Sequence, residues 1–323
     1  MDLRERRRGL RDRFRTDNDH EAKATLRVTG GLRLRLSAKT KLYAVIGDPV
    51  EHSLSPAMHN AAFESLGLNA VYLAFRVERE ILQAALSGVR ALGILGLNVT
   101  MPLKTDIVKY LDELGSTARF VQAVNTVVNR EGKLIGFDTD GVGALKALAS
   151  AGVELHGLKV TLLGAGGAAK AIAYHLVRSC RSLAILNRSP EKALTLAELV
   201  RTQGQAQVVA RALTRTGLEE ELRESSLVIN ATSVGMKPQE METPIPRELL
   251  RPDLTVFDLV YNPVETRLLI EARERGAATI DGLSMLVHQG AESFRIWTGR
   301  EPPLETMMQA VRQAASPSRL CLA

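Results

Sequence analysis

The chain has 323 residues and a mass of 35.2 kDa, about twice the usual domain of roughly 150 residues, so two domains are expected, with a single α/β barrel as the alternative. Its 45% hydrophobic and 24% charged residues and mean hydropathy of −0.02 exclude a collagenous, low-complexity or wholly disordered chain. The net charge of +6 sits entirely in residues 1–40, where 12 Lys and Arg face 6 Asp and Glu, while residues 41–323 carry 30 of each sign, so no basic nucleic-acid face is expected over the folded part.

In chain order, residues 1–40 read as a basic extension. Disorder is the plain reading there, and a short hairpin around Gly30-Gly31, between Leu26–Val28 and Leu32–Leu36, is the other. Its arginines resemble a transit peptide, but Asp2, Glu5, Asp12, Asp17 and Asp19 break the acid-poor rule, and the apolar run of a secretory signal is missing. From Leu42 onward strands and helices alternate, which predicts an α/β architecture with mostly parallel sheets. Strands are predicted at Leu42–Gly47, Val71–Phe75, Gly93–Val99, Ala123–Asn129 and, after a turn at Gly132-Lys133, Leu134–Phe137. A helix over Ser55–Leu66 starts at Ser55-Pro56, where proline has no N–H to leave unpaired. Another, from Gly141 to Ala151, leads into a second unit: strand Lys159–Leu163, a glycine-rich turn, helix Ala168–Val177, strand Leu183–Leu186, helix Glu191–Arg201, and strands Leu227–Asn230, Thr255–Asp258 and Thr279–Ile280. Helices over Met285–Trp297 and Glu305–Ala314 close the chain.

No stretch approaches the ~18 apolar residues of a membrane span. Cys180 and Cys321 cannot form a disulfide framework, and two free thiols fit a reducing compartment. The expected location is the cytoplasm.

The turn Gly164-Ala165-Gly166-Gly167-Ala168-Ala169 lies between a strand and a helix. Glycines there let backbone N–H groups approach a pyrophosphate at the positive end of the helix, although such turns also serve plain strand–helix packing. The next strand ends at Asn187-Arg188-Ser189, with Lys192 one turn on. An acidic residue there suits the ribose 2′-hydroxyl of NAD and a cation suits a 2′-phosphate, so the inferred cofactor is NADP(H); a solvated basic helix start is the bland alternative. Ser53 and Ser55 offer hydroxyls to a small carboxylate, with Ser55 equally suited to capping its helix. Asn98, Thr100 and Lys104 stand at a strand's carboxyl end, where α/β sheets collect ligands, and Asn125, Asp140 and Gln289 add two amides and a carboxylate. His52, His59 and His288 show no metal-ligand spacing and are read as packing or hydrogen-bonding residues.

Taken together, Gly47-x-Pro49-x-x-His52-Ser53-x-Ser55-Pro56-x-x-His59-Asn60, Asn98-Val99-Thr100-x-Pro102-x-Lys104, Ala123-Val124-Asn125-Thr126, Thr139-Asp140-Gly141, the glycine turn, Asn187-Arg188-Ser189, Asn230-Ala231-Thr232-Ser233-x-Gly235-Met236, Asp258-x-x-Tyr261-x-Pro263-x-x-Thr266 and Gln289-Gly290 make the chain resemble the shikimate dehydrogenases from about Tyr43 to Gly299. The resemblance implies reversible reduction of 3-dehydroshikimate to shikimate by NADPH, on the route to aromatic amino acids. It implies that Ser53 and Ser55, with Thr100 and Tyr261, hold the substrate carboxylate. Asn98, Asn125, Asp140 and Gln289 would take the ring hydroxyls, and Lys104 and Asp140 would be the catalytic pair. By the same analogy Thr232, Met236 and Gly282 line the nicotinamide cleft, with Met285 beside them. The expected organisation is a substrate domain of residues 41–140 plus 283–316 around a dinucleotide domain of residues 141–282, as a monomer or homodimer whose partners are small molecules, without a membrane or nucleic acid.

Two positions depart from the family pattern. Asp138 stands where asparagine is usual, placing an extra carboxylate near the catalytic pair. Gln122 stands where glycine is common, so that turn is not expected to need a glycine-only conformation. Two rival readings remain: a quinate or quinate/shikimate dehydrogenase, and a non-catalytic regulator whose basic extension binds nucleic acid. The first is separated by substrate and cofactor preference, the second by salt-dependent nucleic-acid binding.

Overall fold

The computed structural model describes residues 25–27 and 33–316. Thr25–Arg27 and Arg33–Arg35 pair antiparallel, with Leu26 opposite Leu34. Gly30-Gly31, the arginines before Thr25, and Cys321 lie outside the described residues.

The first sheet runs in spatial order Ala70–Arg76, Lys41–Gly47, Gly96–Val99, Thr126–Arg130, Lys133–Phe137 and Glu113–Leu114. Its first three strands are mutually parallel, because the Ser55–Ser65 and Leu82–Ala91 helices supply the crossovers that parallel pairing requires. Thr126–Arg130 enters antiparallel to both neighbours, joined to Lys133–Phe137 by the tight Glu131-Gly132 turn.

The second sheet is parallel throughout, ordered Gln207–Ala212, Ser182–Asn187, Lys159–Leu163, Leu227–Asn230, Thr255–Asp258 and Ala278–Ile280. Counted from its first strand this is the order 3-2-1-4-5-6 of dinucleotide-binding folds, whose crevice opens where Lys159–Leu163 and Leu227–Asn230 lie side by side but continue in opposite directions. Both faces are covered. Leu162 packs with Ile172 and Leu176 on one side, and Leu163 with Val228, Leu218 and Leu268 on the other. That is why the strand reads as an unbroken apolar run, each fully buried leucine contributing about 1.5–3 kcal/mol.

The strand–helix reading passed over helices Leu82–Ala91, Ser116–Val121, Arg215–Leu222 and Arg267–Glu274, strands Glu113–Leu114 and Gln207–Ala212, and short 3-10 turns such as Asp106–Tyr110. Leu82, Leu86 and Val89 do carry helical spacing. The Arg215 and Arg267 helices are strongly charged, and each is started by a threonine cap, Thr214 accepting from Gly217 N and Thr266 from Leu269 N. Gln207–Ala212 is an edge strand of alternating exposure in which Val208 alone is buried.

Two helices carry the chain between the sheets, Asp140–Ser150 and Gly282–Thr298. They pack so closely that a Cβ on Gly143 would stand 2.7 Å from the backbone nitrogen of Gln289. The same contact fixes the spacing of Asp140 and Gln289.

Candidate active site

The nine side chains expected to meet the substrate line one cavity of about 200 Å³. Each is delivered by an element end. Asn98 leaves the Gly96–Val99 strand with Thr100 and Lys104 on the loop beyond it, and Asn125 stands just before Thr126–Arg130. Asp140 opens its helix, Gln289 lies two turns into Gly282–Thr298, and Ser53 and Ser55 stand where Ser55–Ser65 begins. Tyr261 closes the rim, 37% exposed. Ser55 does not cap its helix: the N-cap position is Leu54, without a side-chain cap bond, and Ser53 Oγ accepts from Ser55 N at 3.3 Å. Apolar residues not singled out from the sequence, Val45, Val99, Leu259 and Leu286, complete the wall with Met285.

At the centre Lys104 Nζ donates to Asp140 Oδ2 at 2.6 Å. The lysine side chain is 28% exposed toward the cleft and the aspartate only 6%, so the ammonium faces a ligand while the carboxylate backs it. Burial pulls the Lys104 pKa down, but the Asp140 and Asp138 charges and the Asp140 hydrogen bond together outweigh it and hold the ammonium above its ordinary value. Asp140 Oδ1 accepts from Asn125 Nδ2 at 2.7 Å, and Asn125 Oδ1 in turn accepts from Thr139 N at 2.9 Å. A ring hydroxyl reaching Asn125 therefore competes with Asp140 for its amide. Thr126, Thr139 and Ser293 join this buried network; the threonines lie within the short motifs, while Ser293 carries no local signal.

Asp138 is 6% exposed and its Oδ1 accepts from Asp140 N at 3.1 Å. Burial and the neighbouring Asp140 charge push its pKa up to about 7, against the pull of Lys104. Gln122 corrects the expectation from its residue type: it sits at φ 55°, ψ 41°, the left-handed conformation, as the C-cap of Ser116–Val121. Its Nε2 donates to Arg119 O at 2.6 Å, a local bond that offsets the strain of a side chain there.

His59 is fully buried, stacked on Tyr72 with centroids 4.5 Å apart, and burial holds it neutral with a pKa of about 3. His288 is also buried, and burial lowers its pKa. Among the described residues no cluster of His, Cys, Asp or Glu could hold a metal, and no helix is long and apolar enough to cross a membrane.

Across the cavity, Ala168 and Gly282 contribute from the second sheet's side. The glycine turn fits a dinucleotide. Gly164 has φ 111° and its missing Cβ would meet Ala231 O at 2.9 Å, whereas nothing lies within 4 Å of the Cβ positions of Gly166 and Gly167. Ala165 is half-buried beside them, and the Gly167–Leu176 helix begins at Gly166 with no side-chain cap, leaving its first N–H groups for an anion. Asn187 Nδ2 donates to Ser189 O at 3.0 Å, shaping the loop from which Arg188 projects; Arg188 and Lys192 are exposed. Thr232 binds Asn230 Oδ1 through both its N–H and its hydroxyl, and Met236 is half-buried on the loop beyond.

A proton-holding ammonium set across a cleft from a dinucleotide turn is what hydride transfer to a carbonyl requires, and with the 3-2-1-4-5-6 sheet it defines a two-lobed nicotinamide-nucleotide dehydrogenase. Residues 45–127 match the shikimate dehydrogenase substrate binding domain, residues 146–258 the shikimate / quinate 5-dehydrogenase family, and residues 282–312 the shikimate 5'-dehydrogenase C-terminal domain. The chain is 52% identical over 279 residues to the shikimate dehydrogenase (NADP(+)) of Thermococcus kodakarensis, covering 86% of this chain and 98% of that one. It is 47% identical to that of Moorella thermoacetica, with 88% and 97% covered. The crystal structure of the Thermus thermophilus shikimate 5-dehydrogenase with NADP(H) and shikimate superposes with a TM-score of 0.77 at 41% identity, covering 85% of this chain and all of that one. A quinate dehydrogenase from Corynebacterium glutamicum in complex with NAD follows the same fold at 32% identity and a TM-score of 0.78, with 85% and 99% covered. The chain belongs to the shikimate dehydrogenase family.

Proposed function

We propose that this protein catalyses the reversible, NADP-linked interconversion of 3-dehydroshikimate and shikimate. The observation that carries the reading is the Lys104–Asp140 pair, 2.6 Å apart on the wall of a cleft whose opposite side is the start of the dinucleotide turn helix. Bound NADPH supplies the hydride. A ketone carbon that receives it leaves an alkoxide, and Lys104 donates the proton that neutralises it while its charge stabilises the developing anion. Asp140 keeps the ammonium protonated and aimed, and Asn125 fixes the carboxylate's other oxygen. In the oxidative direction Lys104 takes the hydroxyl proton back.

Ser53, Ser55, Thr100 and Tyr261 hold the ring carboxylate through neutral hydroxyls, and Asn98, Gln289 and the Asn125–Asp140 pair address the ring hydroxyls. Gly164 to Ala168 cradle the pyrophosphate, Asn187 to Ser189 and Lys192 face the adenosine ribose and its 2′-phosphate, and Thr232, Met236 and Gly282 flank the nicotinamide. The substrate lobe comprises residues 41–140 and 283–316 and the nucleotide lobe residues 141–282. The protein works in the cytoplasm as a monomer or homodimer.

The test is initial rates of nicotinamide reduction with shikimate and with quinate, each against NADP and NAD. Shikimate with NADP should give the highest kcat/KM. A preference for quinate with NAD would replace the reading by the related quinate activity, and no turnover with any pair would remove it.

A further inference from the structure

Asn98 is held on the cleft wall by hydrogen bonds at both ends of its amide. Its Nδ2 has three acceptors within reach, Asn125 O at 3.1 Å, Ser293 Oγ at 3.1 Å and Thr126 Oγ1 at 3.3 Å, for only two hydrogens. The carbonyl Asn125 O can only accept, so the amide orientation is settled and Oδ1 must be an acceptor. One of its two lone pairs is taken by the Tyr72 hydroxyl, which donates to it at 2.7 Å. The hydrogen-bonding capacity left to Asn98 is the second lone pair on Oδ1, for which the buried His59 ring beside it is the one competing donor within the protein among the described residues.

Tyr72 lies behind the cleft wall and touches no part of the cavity. It is fully buried, and its backbone is clamped at the open edge of the first sheet by Asn60, which accepts from Tyr72 N at 2.8 Å and donates to Tyr72 O at 2.9 Å. His59 stacks on its ring. The Ser55 hydroxyl also interacts with the phenol oxygen, though burial dominates and keeps the phenol protonated, a permanent donor. The ring thus ties Asn98 to Ser55, two residues on separate elements of the cleft.

We propose that Tyr72 is a positioning and specificity-determining residue: by fixing Asn98 with only an acceptor free, it makes the cleft require a hydroxyl, and reject a carbonyl or a hydrogen, at the ring position that Asn98 faces. This rests on the shikimate reading above. An unmet polar group in such a site discriminates strongly against a substrate lacking its partner.

The experiment is a set of kinetics on Tyr72→Phe, which keeps the ring and its stacking, with shikimate and with its two analogues lacking one of the non-reacting ring hydroxyls. With shikimate, KM should rise about 3- to 10-fold, the worth of one neutral hydrogen bond, with kcat and the KM for NADP nearly unchanged. With the analogue lacking the hydroxyl that Asn98 reads, Tyr72→Phe should change kcat/KM less than twofold. In an Asn98→Ala background, where that variant folds, the Tyr72→Phe loss should vanish. Equal losses on shikimate and both analogues, or a loss that persists without Asn98, would show a merely structural role and overturn the proposal, as would no loss at all. Wild-type protein inactive on shikimate with NADP would instead overturn the functional reading, so the two failures are distinguishable.

Discussion

Lys104 Nζ and Asp140 Oδ2 are 2.6 Å apart, and the carboxylate's opposite oxygen is held by Asn125 at 2.7 Å. Three residues from three separate elements thereby fix one proton-carrying nitrogen at the cavity surface. Lys104→Ala removes the donor and leaves the cavity wall otherwise in place. We expect kcat to fall about 10²- to 10⁴-fold with a smaller change in KM, measured by steady-state rates in both directions. A kcat within a few-fold of wild type would take Lys104 out of the proton-transfer role.

Asp138 gives the site a pH dependence of its own. Its pKa of about 7 in the folded protein lies above the ~3.9 of an unfolded aspartate. Between those values the folded state binds a proton that the unfolded state does not, so this group's contribution to stability falls as pH rises from about 4 to about 7. Asp138→Asn keeps an oxygen for Asp140 N–H and loses the charge. Urea denaturation at pH 5 and pH 8 should show the variant less pH-dependent than wild type across that window. Once ionised, Asp138 also holds the Lys104 proton more tightly, so ketone reduction should slow as pH rises through about 7, and the variant should lack that inflection. Identical pH–rate profiles would remove Asp138 from the electrostatics of the pair.

Most of the site was legible because its residues stand in short local motifs at element ends. Asn98 to Lys104, Asn125-Thr126 and Thr139-Asp140 are written within a few positions of one another, and the folding of a strand end into a loop suffices to present them. What was not legible depends on packing over long separations. Tyr72 lies inside an edge strand and Ser293 three turns into a helix, and neither neighbourhood betrays that both converge on Asn98. The Arg215 helix is hard to read because its charged sequence mutes the apolar stripe, leaving the threonine cap as the main sign, whereas the Arg267 helix is short but does carry Leu268, Leu269 and Ala272 on one buried face. Gln122 misled for a related reason: a non-glycine residue argues against a left-handed turn, but the side-chain bond to Arg119 O sustains one.

Arg188 is exposed at the end of the Ser182–Asn187 strand and makes no ion pair among the described residues. A guanidinium there matches the two negative charges of a 2′-phosphate, and charge-assisted hydrogen bonds are worth about 1.5–3 kcal/mol. Arg188→Ala should therefore lower kcat/KM for NADP about 10- to 100-fold while changing that for NAD little, with Lys192→Ala giving a smaller loss in the same direction. The ratio of the two cofactors' kcat/KM values is the measurement, and an unchanged ratio would assign the phosphate to other residues.

Gly143 tests whether the two lobe-joining helices set the geometry of the site. No side chain fits there: a Cβ would lie 2.7 Å from both the backbone nitrogen and the Cβ of Gln289. Gly143→Ala must therefore push the Gly282–Thr298 helix away from Asp140–Ser150 or distort one of them, an overpacking strain of about 1–3 kcal/mol. The alanine's better helix propensity, roughly 1 kcal/mol, offsets only part of it. Because Gln289 and Asp140 ride on these helices on opposite sides of the contact, the displacement acts on the substrate site before it reaches the glycine turn. The expected result is a lower midpoint of thermal unfolding and a several-fold rise in the KM for shikimate, with the KM for NADP changed less. A variant with normal KM for shikimate would mean that the helices can separate without moving Gln289 from the substrate, and the spacing at Gly143 would then matter for stability alone.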